Sequence, residues 1–425
     1  MDVQKYKELL KEYVSFKSIS TDLEKKEDML QTVEWLKNLF QSNGFEVKSL
    51  EVEGTNPLVF ASYKLSDDAE TVLVYGHYDV QPADKEDGWN SEPFELTERN
   101  GRLYARGVMD NKGQSFVHIF TVLELIKQKK LKYNVKFIIE GGEEVGDVDS
   151  LIKIITENKD LLTCDHILVS DGELVAGRPS FDSSFRGGMN LTVKFKVSDN
   201  NVHSGVYGGA VANSAFELSK LLAKIYDDNN VVTIPGFYND VDEITEKQLK
   251  NNKRLTEIDA GKVLTNVGFK ALRTENNKYD FYTQTGLRPT LQVTGLKSGY
   301  IGNGYANIVP NVAEARINFR LVASQSPQRV LELFENFVRE NTPEYVQSEV
   351  VASGLHDPVK LKTDSEQFSK VRKMLEESYG SEVFDYYVGG AIPVIAKMKE
   401  IFGIDAVSVG LANDDCNMHG VDENF

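Results

Sequence analysis

The sequence contains few of the residues that would build a disulfide framework or a membrane anchor. Cys164 and Cys416 are the only two cysteines among 425 residues, which argues against a fold held together by disulfide bonds. No apolar run approaches the length of a membrane-spanning helix, and the first six residues contain no apolar signal core. These absences predict a protein of the reducing cytoplasm that does not act at a membrane.

Positive charge is also scarce. The chain has 48 Lys and Arg residues against 65 Asp and Glu residues, which leaves a net charge of −17 at pH 7. A surface this acidic repels nucleic acid backbones and anionic lipid headgroups, so neither is an expected partner. The hydrophobic content of 41% is normal for a soluble globular protein, and 425 residues are too many for one ordinary core. Two or more domains are therefore expected.

Histidine is rare enough to follow individually, because the chain contains only six. The apolar run Thr71–Tyr75 predicts a buried strand, and His77 follows it with Asp79 two residues further on. In an open α/β sheet, sites are built at the carboxyl ends of the strands. Histidine is the commonest metal ligand, and a carboxylate bonded to its other ring nitrogen fixes the tautomer. The alternative is a histidine that caps the strand beside a solvated aspartate.

Carboxylates also follow the next predicted elements along the chain. The strand Val135–Ile139 is followed by Glu143 and Glu144, and the strand Ile167–Ser170 by Asp171. Adjacent carboxylates repel each other, and either water at a surface or a cation at a site must relieve that repulsion. Several such strand ends on one edge of a parallel sheet, together with a histidine, indicate a divalent metal site.

Asp110 differs from these carboxylates because a loop, and not a predicted strand, leads directly into it. It precedes a predicted helix that runs to about Lys127, so its local context favours a helix N-cap over a ligand. Just before it, residues 101–107 predict a short strand that returns to the edge of the main sheet.

The middle of the chain follows a different pattern. From residue 187 the order strand, helix, strand, strand, helix, strand predicts a separate ferredoxin-like layer that ends near residue 355. The expected fold is therefore α/β, with a central mixed, mostly parallel sheet flanked by helices and an inserted α+β domain. The expected domains are 1–186, 187–355 and 356–425, of which the first and last form one unit.

These motifs together resemble a known family. Those that carry the resemblance are His77-Tyr78-Asp79-Val80, Gly107 to Gly113 around Asp110, Glu143-Glu144, Asp171, His203-Ser204-Gly205 and His419-Gly420 through Glu423-Asn424. They resemble the zinc aminopeptidase-fold hydrolases of the carnosinase, succinyl-diaminopimelate desuccinylase and carboxypeptidase G type. The segment from Arg288-Pro289-Thr290 to Arg320-Leu321-Val322 is most similar to the carnosinase-like dipeptidase branch.

The resemblance implies a dinuclear metal centre in the catalytic domain. Two Zn²⁺ ions per subunit, with Mn²⁺ or Co²⁺ as alternatives, would share Asp110. One metal would also bind His77 and Asp171, and the other Glu144 and His419. Asp79 would orient His77, and Glu143 would be the general base that takes a proton from the attacking water.

The resemblance also gives the inserted domain a role as a lid and dimerisation domain. His203 would stabilise the tetrahedral oxyanion, and in relatives it often comes from the neighbouring subunit, which implies a homodimer. Asn307, Arg320 and the turn Gly389-Gly390-Ala391 align with positions that hold the substrate carboxylate.

This sequence departs from the family pattern at three places. Asn111 replaces a second aspartate of many relatives, a change of little expected consequence because the residue is not a ligand there. Val388 and Ala391 replace polar residues around the glycine turn, which affects substrate preference. Relatives continue after His419 with a C-terminal helix that this sequence does not contain, so an apolar strip on the catalytic domain is expected to be exposed.

The function implied is hydrolysis of dipeptides or short peptides that carry a free C-terminal carboxylate. An amide hydrolase that removes the acyl group of an N-acyl amino acid is the alternative within enzymes, since the loops that would separate the two cannot be interpreted from sequence. A non-catalytic binding or dimerisation module is a third reading. Such a protein would have lost a ligand or the base, whereas every one of those positions carries a suitable residue here.

Overall fold

The structure is a computed structural model that describes residues 2–390 and 392–425. Its contacts divide the chain into two compact units: Met1–Asp182, Leu361–Asp385 and Val394–Phe425 form the first, and Ser183–Lys360 and Tyr386–Pro393 form the second. The strands are β1 (Glu46–Leu50), β2 (Leu58–Tyr63), β3 (Thr71–His77), β4 (Thr97–Arg99), β5 (Arg102–Tyr104), β6 (Asn134–Glu140), β7 (His166–Val169), β8 (Ser180–Phe185), β9 (Gly187–Lys196), β10 (Val202–His203), β11 (Thr290–Ser298), β12 (Ile308–Val309), β13 (Val312–Leu321), β14 (Gln347–His356), β15 (Val359–Lys360), β16 (Phe384–Val388) and β17 (Val407–Ser408). The helices are α1 (Val3–Ser15), α2 (Lys26–Ser42), α3 (Lys112–Lys127), α4 (Val148–Glu157), α5 (Lys159–Leu162), α6 (Ser204–Tyr207), α7 (Ser214–Ala223), α8 (Glu246–Asp259), α9 (Lys262–Thr265), α10 (Phe281–Leu287), α11 (Pro327–Asn341), α12 (Glu366–Tyr379) and α13 (Pro393–Phe402).

The first unit is built on a six-stranded mixed sheet of order β1-β2-β6-β3-β7-β17. Strand β3 runs parallel to both β6 and β7, and β17 runs parallel to β7, whereas β2 pairs antiparallel with both β1 and β6. This arrangement confirms the predicted central, mostly parallel sheet. Because β6, β3 and β7 are adjacent and parallel, the residues that follow them emerge side by side at one edge of the sheet.

Helices α1, α2 and α3 cover this sheet with apolar faces. In α2, buried Met29, Val33, Leu36 and Phe40 recur at helical spacing and form one continuous stripe. Each such side chain contributes about 1.5–3 kcal/mol on full burial. The packing of these helices stabilises the sheet, while the loops at its carboxyl edge carry polar residues.

The second unit contains the four-stranded antiparallel sheet β11-β13-β9-β14. Helices α7 and α11 pack on one face, where Leu218 and Phe334 join Phe319 in the same core. With one helix after β9 and one after β13, the strand order is that of a ferredoxin-like layer, as the sequence predicted.

Two sequence-based expectations were wrong in detail. Residues 101–107 do not return to the main sheet, because β5 pairs with β4 in a separate two-stranded sheet. Residues 386–393, expected in the first unit, belong to the second by their contacts. The reason is local: the main-chain N–H of Arg186 donates to Gly390 O, and its Nε donates to Gly389 O, both at 2.9 Å.

Among the described residues, no helix is both long and apolar enough to cross a membrane.

The loop that leads into α3 is unusually tight. A Cβ atom at Gly113 would lie 1.8 Å from the main-chain oxygen of Val108, a distance that no side chain tolerates. Gly113 therefore allows residues 107–112 to fold back against the start of the helix, which brings Asp110 to the carboxyl edge of the sheet. The local sequence predicted a helix start here, but not this close approach.

We predict that Gly113→Ala lowers the free energy of unfolding by about 3 kcal/mol, the upper range for overpacking, because the clash is with backbone and cannot be relieved by a rotamer change. Urea denaturation of metal-free protein measures this. Gly142→Ala is the matched control, since its Cβ would make an ordinary 3.5 Å contact with Asp147. Equal losses in the two variants would contradict the close approach.

Candidate metal centre

The site begins at the C-terminal end of β3 with His77, which is fully buried. Its Nδ1 lies 3.0 Å from the main-chain oxygen of Asp79 and 3.3 Å from the Oδ1 atom of the same residue. A proton on Nδ1 would be shared with these acceptors and would leave Nε2 available to a cation. Nε2 then points at Asp110 Oδ1 at 3.0 Å and Asp171 Oδ1 at 3.8 Å.

Asp110 lies between two histidines. Its Oδ1 faces His77, and its Oδ2 lies 2.9 Å from Nε2 of His419. Burial by itself would raise the pKa of Asp110, but hydrogen bonds from His419 and His77 hold that pKa far below its usual range. Asp110 is therefore a carboxylate, and the interpretation as a simple N-cap is wrong: Asn111 occupies the N-cap position of α3, without a capping bond from its side chain.

Glu144 and His419 form the other side of the cluster. Glu144 Oε2 lies 3.2 Å from His419 Nε2 and accepts a 2.7 Å hydrogen bond from Gln81. Glu144 Oε1 is buried and has no hydrogen-bond partner within the described residues. Hydrogen bonds to Asp110 and Glu144 raise the pKa of His419 to about 10, against a smaller effect of burial.

The five predicted ligands thus form two overlapping groups. The first contains His77, Asp110 and Asp171, and the second contains Asp110, Glu144 and His419; in each group the candidate ligand atoms lie within 4.8 Å of one another. Three carboxylates converge here, and Glu144 Oε1 is an orphaned buried acceptor. Imidazole and carboxylate are ligands that suit divalent first-row metals, so these residues fit a pair of cations that share Asp110.

Glu143 lies next to these residues in sequence but belongs to neither group. Burial raises its pKa to about 8, and the carboxylates of Asp171, Asp110 and Asp79 act in the same direction, while His77 lowers it. A carboxyl group with a pKa near neutrality is suited to taking up and returning a proton. Burial also raises the pKa of the neighbouring Glu140 to about 8, but the hydroxyl of Tyr75 donates a 2.5 Å hydrogen bond to that carboxyl group.

A buried residue that the sequence did not single out for a role, Glu423, ties the two halves of the cluster together. Its carboxylate accepts hydrogen bonds from the main-chain N–H groups of Met109 at 2.8 Å and Asp110 at 3.1 Å, and from Arg106 at 2.6 Å. Arg106 also donates to the main-chain oxygen of His419 at 3.0 Å. The loop of the shared carboxylate and the loop of His419 are therefore held by one ion pair. The only sequence signal was the position of Glu423 just after His419.

Asn111 also has a larger role than its sequence position indicated. Its amide donates to Asp171 Oδ1 at 2.8 Å and to the main-chain oxygen of Ser170 at 2.7 Å. It is not a candidate ligand, but it orients one. Partners of this kind typically affect metal affinity by about 10–100-fold.

The remaining predicted site residues lie in the second unit. His203 pairs with Ile308 between β10 and β12, and Asn307 O accepts a 3.0 Å bond from the N–H of Ser204, so His203 and Asn307 are neighbours in that unit. Arg320 lines a cavity of 390 Å³ together with Arg186, which was not predicted.

Arg186 is also the residue that binds the carbonyl groups of Gly389 and Gly390. The third residue of that predicted turn, Ala391, lies outside the described residues.

Known proteins resemble this chain over most of its length. Residues 73–425 match the family model for peptidase family M20/M25/M40. A cysteinylglycine-S-conjugate dipeptidase from Corynebacterium striatum is 32% identical over 84% of this chain and 77% of its own length. Human Beta-Ala-His dipeptidase is 28% identical over 87% of this chain and 74% of its own length.

Solved structures show the same fold. An M20 family metallo-carboxypeptidase from Sulfolobus solfataricus has a TM-score of 0.83 at 30% identity, covering 100% of this chain and 95% of that chain. These matches confirm the resemblance that the motifs indicated.

We predict that Glu423→Gln lowers the free energy of unfolding by about 3 kcal/mol and weakens metal binding, because it leaves Arg106 buried without a counter-charge. Thermal denaturation and titration of metal-free protein with Zn²⁺ measure the two effects. Asp415→Asn is the control: it breaks an exposed ion pair with Arg102 in the same C-terminal segment and should cost less than about 1 kcal/mol. Similar effects of both changes would argue against the proposed link between the two loops.

Proposed function

The chain belongs to peptidase family M20/M25/M40 and is a metal-dependent hydrolase, and from this premise we propose that it cleaves dipeptides or short peptides that carry a free C-terminal carboxylate. The observation that supports this most directly is the position of Asp110, with one carboxylate oxygen facing His77 and the other facing His419. A carboxylate that bridges two ligand groups is what a dinuclear peptidase centre requires.

In the proposed reaction the chain's own residues position the reactants and move the proton. His77, Asp110, Asp171, Glu144 and His419 would hold two cations. Such a pair, when bound, activates water and polarises the scissile carbonyl. Glu143 takes the proton of the attacking water and returns it to the leaving amine, which turns a strongly basic leaving group into a neutral one.

The metal we propose is Zn²⁺, with Mn²⁺ or Co²⁺ as alternatives. Two imidazoles and three carboxylates make a donor set of intermediate softness, which suits all three ions. His77 and His419 each direct Nε2 at the shared carboxylate, so both imidazoles are in the orientation needed for binding.

We propose that the second unit binds the substrate and contributes to catalysis. His203 would stabilise the oxyanion of the tetrahedral intermediate. Arg320, Asn307 and the Gly389-Gly390-Ala391 turn would bind the substrate carboxylate. In support of this, the described residues that line the cavity of Arg320 and Arg186 include a third arginine, Arg273, and no acidic side chain, so the lining favours an anion.

A homodimer formed through the second unit is part of the proposal. Helices α6 and α7 and the turn between them expose large apolar side chains, of which Val206 is 71% and Phe216 66% exposed. Apolar groups concentrated in this way mark interaction surfaces more often than free surface. His203 immediately precedes α6, so a partner bound here would lie next to it.

We place the protein in the cytoplasm, in keeping with two unpaired cysteines.

The expected result for Glu143→Gln is a loss of turnover of at least about a hundredfold with two metals per chain retained, because the amide cannot accept the proton. Elemental analysis and hydrolysis of a panel of dipeptides and N-acyl amino acids measure this. Glu157→Gln, at the exposed end of α4, should behave as wild type. Activity of the Glu143→Gln protein would remove Glu143 as base, and a wild-type protein that takes up no Zn²⁺ or Mn²⁺ would contradict the dinuclear centre. Cleavage of only the N-acyl amino acids would favour the deacylase.

If His203 acts on the neighbouring subunit, mixed dimers of His203→Ala and Glu143→Gln chains should recover about a quarter to a half of the wild-type rate per active centre, because one centre in each mixed dimer is complete. Phe216→Asp should shift the mass measured by light scattering from dimer to monomer. No recovery in verified mixed dimers would assign His203 to its own chain, and an unchanged mass would remove this surface as the interface.

A further inference from the structure

A short segment after α1 lies against the loop that carries Asp79. We refer to residues 17–22 as the strap. Ile19 forms a parallel β-bridge with Val80, and the N–H of Val80 donates to the main-chain oxygen of Ser18 at 3.0 Å. The hydroxyl of Ser18 donates to the main-chain oxygen of Tyr78 at 2.6 Å. The strap therefore runs beside residues 78–80, joined to them by one isolated β-bridge and these hydrogen bonds.

Whereas the Ser18 hydroxyl contacts the main chain of Tyr78, Ser20, also in the strap, contacts the side chain of Asp79. Its hydroxyl donates to Asp79 Oδ2 at 2.7 Å, and the same oxygen accepts the main-chain N–H of Glu144 at 3.0 Å. The other oxygen, Oδ1, makes no regular hydrogen bond within the described residues and lies 3.3 Å from Nδ1 of His77. Two donors on Oδ2 thus set the rotation of the carboxylate that turns Oδ1 towards the imidazole.

The strap is itself anchored from the first turn of α3. Lys112 is fully buried, and its ammonium donates to the main-chain oxygens of Tyr13 at 3.0 Å and Phe16 at 2.8 Å. These are acceptors at the end of α1, immediately before the strap. Because α3 follows the Asp110 loop directly, Lys112 links the start of the strap to the helix that adjoins that loop.

We propose that Ser20 is a positioning residue for the metal centre, which fixes the carboxylate of Asp79 so that His77 and the Glu143–Glu144 turn are held in register. This inference rests on the proposed function, since it assigns Ser20 a role in supporting the proposed ligand His77. Asp79 is fully buried, and the Ser20 hydroxyl and the Glu144 N–H are the donors that hold its Oδ2 within the described residues. Without the hydroxyl, the carboxylate can rotate away from the ring and loosen the adjacent turn.

The strap offers a test variant and a matched control two residues apart. Ser20 borders a cavity of 450 Å³, so Ser20→Ala removes a hydroxyl at a cavity wall, and Ser20→Thr adds a methyl group for which there is room. Ser18→Ala also removes a hydroxyl hydrogen bond, but one to a backbone oxygen in a fully buried position. Ser20→Ala and Ser20→Thr test the hydrogen bond to the Asp79 carboxylate, and Ser18→Ala tests the attachment of the strap to residues 78–80.

The experiment is calorimetric titration of metal-free protein with Zn²⁺, together with steady-state kinetics and the thermal midpoint of each variant. For Ser20→Ala we expect one of the two Zn²⁺ sites to bind about tenfold more weakly, kcat to fall about tenfold with KM nearly unchanged, and the thermal midpoint to stay close to wild type. Ser20→Thr should restore both values. Ser18→Ala should lower the thermal midpoint and leave the Zn²⁺ affinity of the folded protein unchanged.

An unchanged Zn²⁺ affinity in Ser20→Ala would overturn the proposal. The proposal would also be overturned if Ser20→Ala and Ser18→Ala both lost Zn²⁺ affinity in proportion to their loss of stability. That result would mean that the strap has a purely structural role. A wild-type protein that binds none of Zn²⁺, Mn²⁺ and Co²⁺ would refute the proposed function itself. That result is distinguishable from failure of the Ser20 inference, in which wild type binds two ions and Ser20→Ala binds them equally well.

Discussion

The rest of the first unit depends on holding one carboxylate, that of Asp110, between two imidazoles. His77 reaches it from the end of β3 and His419 from a loop near the end of the chain, at 3.0 Å and 2.9 Å. Asp110 belongs to neither a strand nor a helix, so its position has to be imposed by neighbours. Gly113 permits the tight loop, and the buried Glu423 carboxylate binds the loop's N–H groups. Both features are best understood as requirements of that one position.

The same logic explains why so much of the polar network near the site is buried. Glu423 and Arg106 form an ion pair whose side chains are 0% and 4% exposed. A buried pair is a poor source of net stability, because desolvation offsets most of the attraction. Its benefit here is geometric, since it joins loops that are distant in sequence and carry different ligands. At shorter range, Asn111 orients the candidate ligand Asp171 with a hydrogen bond, and the main-chain oxygen of Asp79 lies 3.0 Å from Nδ1 of the candidate ligand His77.

Sequence patterns predicted those parts of the site that follow from local structure. An apolar run that ends in a polar residue identifies a strand end, and that was sufficient to place His77, Glu143 and Asp171 at or shortly after the ends of β3, β6 and β7. Asp110 could not be assigned this way, because a carboxylate before a helix is more often a cap, and only the motif resemblance indicated a ligand. The role of Glu423 depends on contacts with residues far away in the sequence. Asp110, for example, lies 313 positions before it, and no periodicity or spacing encodes such a contact. The prediction that residues 101–107 join the main sheet was wrong for a similar reason, since a short strand carries no signal of which strand it pairs with.

The charge state of the metal-free cluster links metal uptake to protons. Burial raises the pKa of Glu140 and of Glu143 to about 8, and hydrogen bonds to Asp110 and Glu144 raise that of His419 to about 10. In protein without bound metal, Glu140, Glu143 and His419 therefore keep their protons near neutral pH. These protons reduce the repulsion among the buried carboxylates. A cation can bind His419 only if that proton leaves, so metal uptake releases protons and must strengthen as the pH rises. Cation and proton are therefore alternative ways of neutralising the same buried carboxylates.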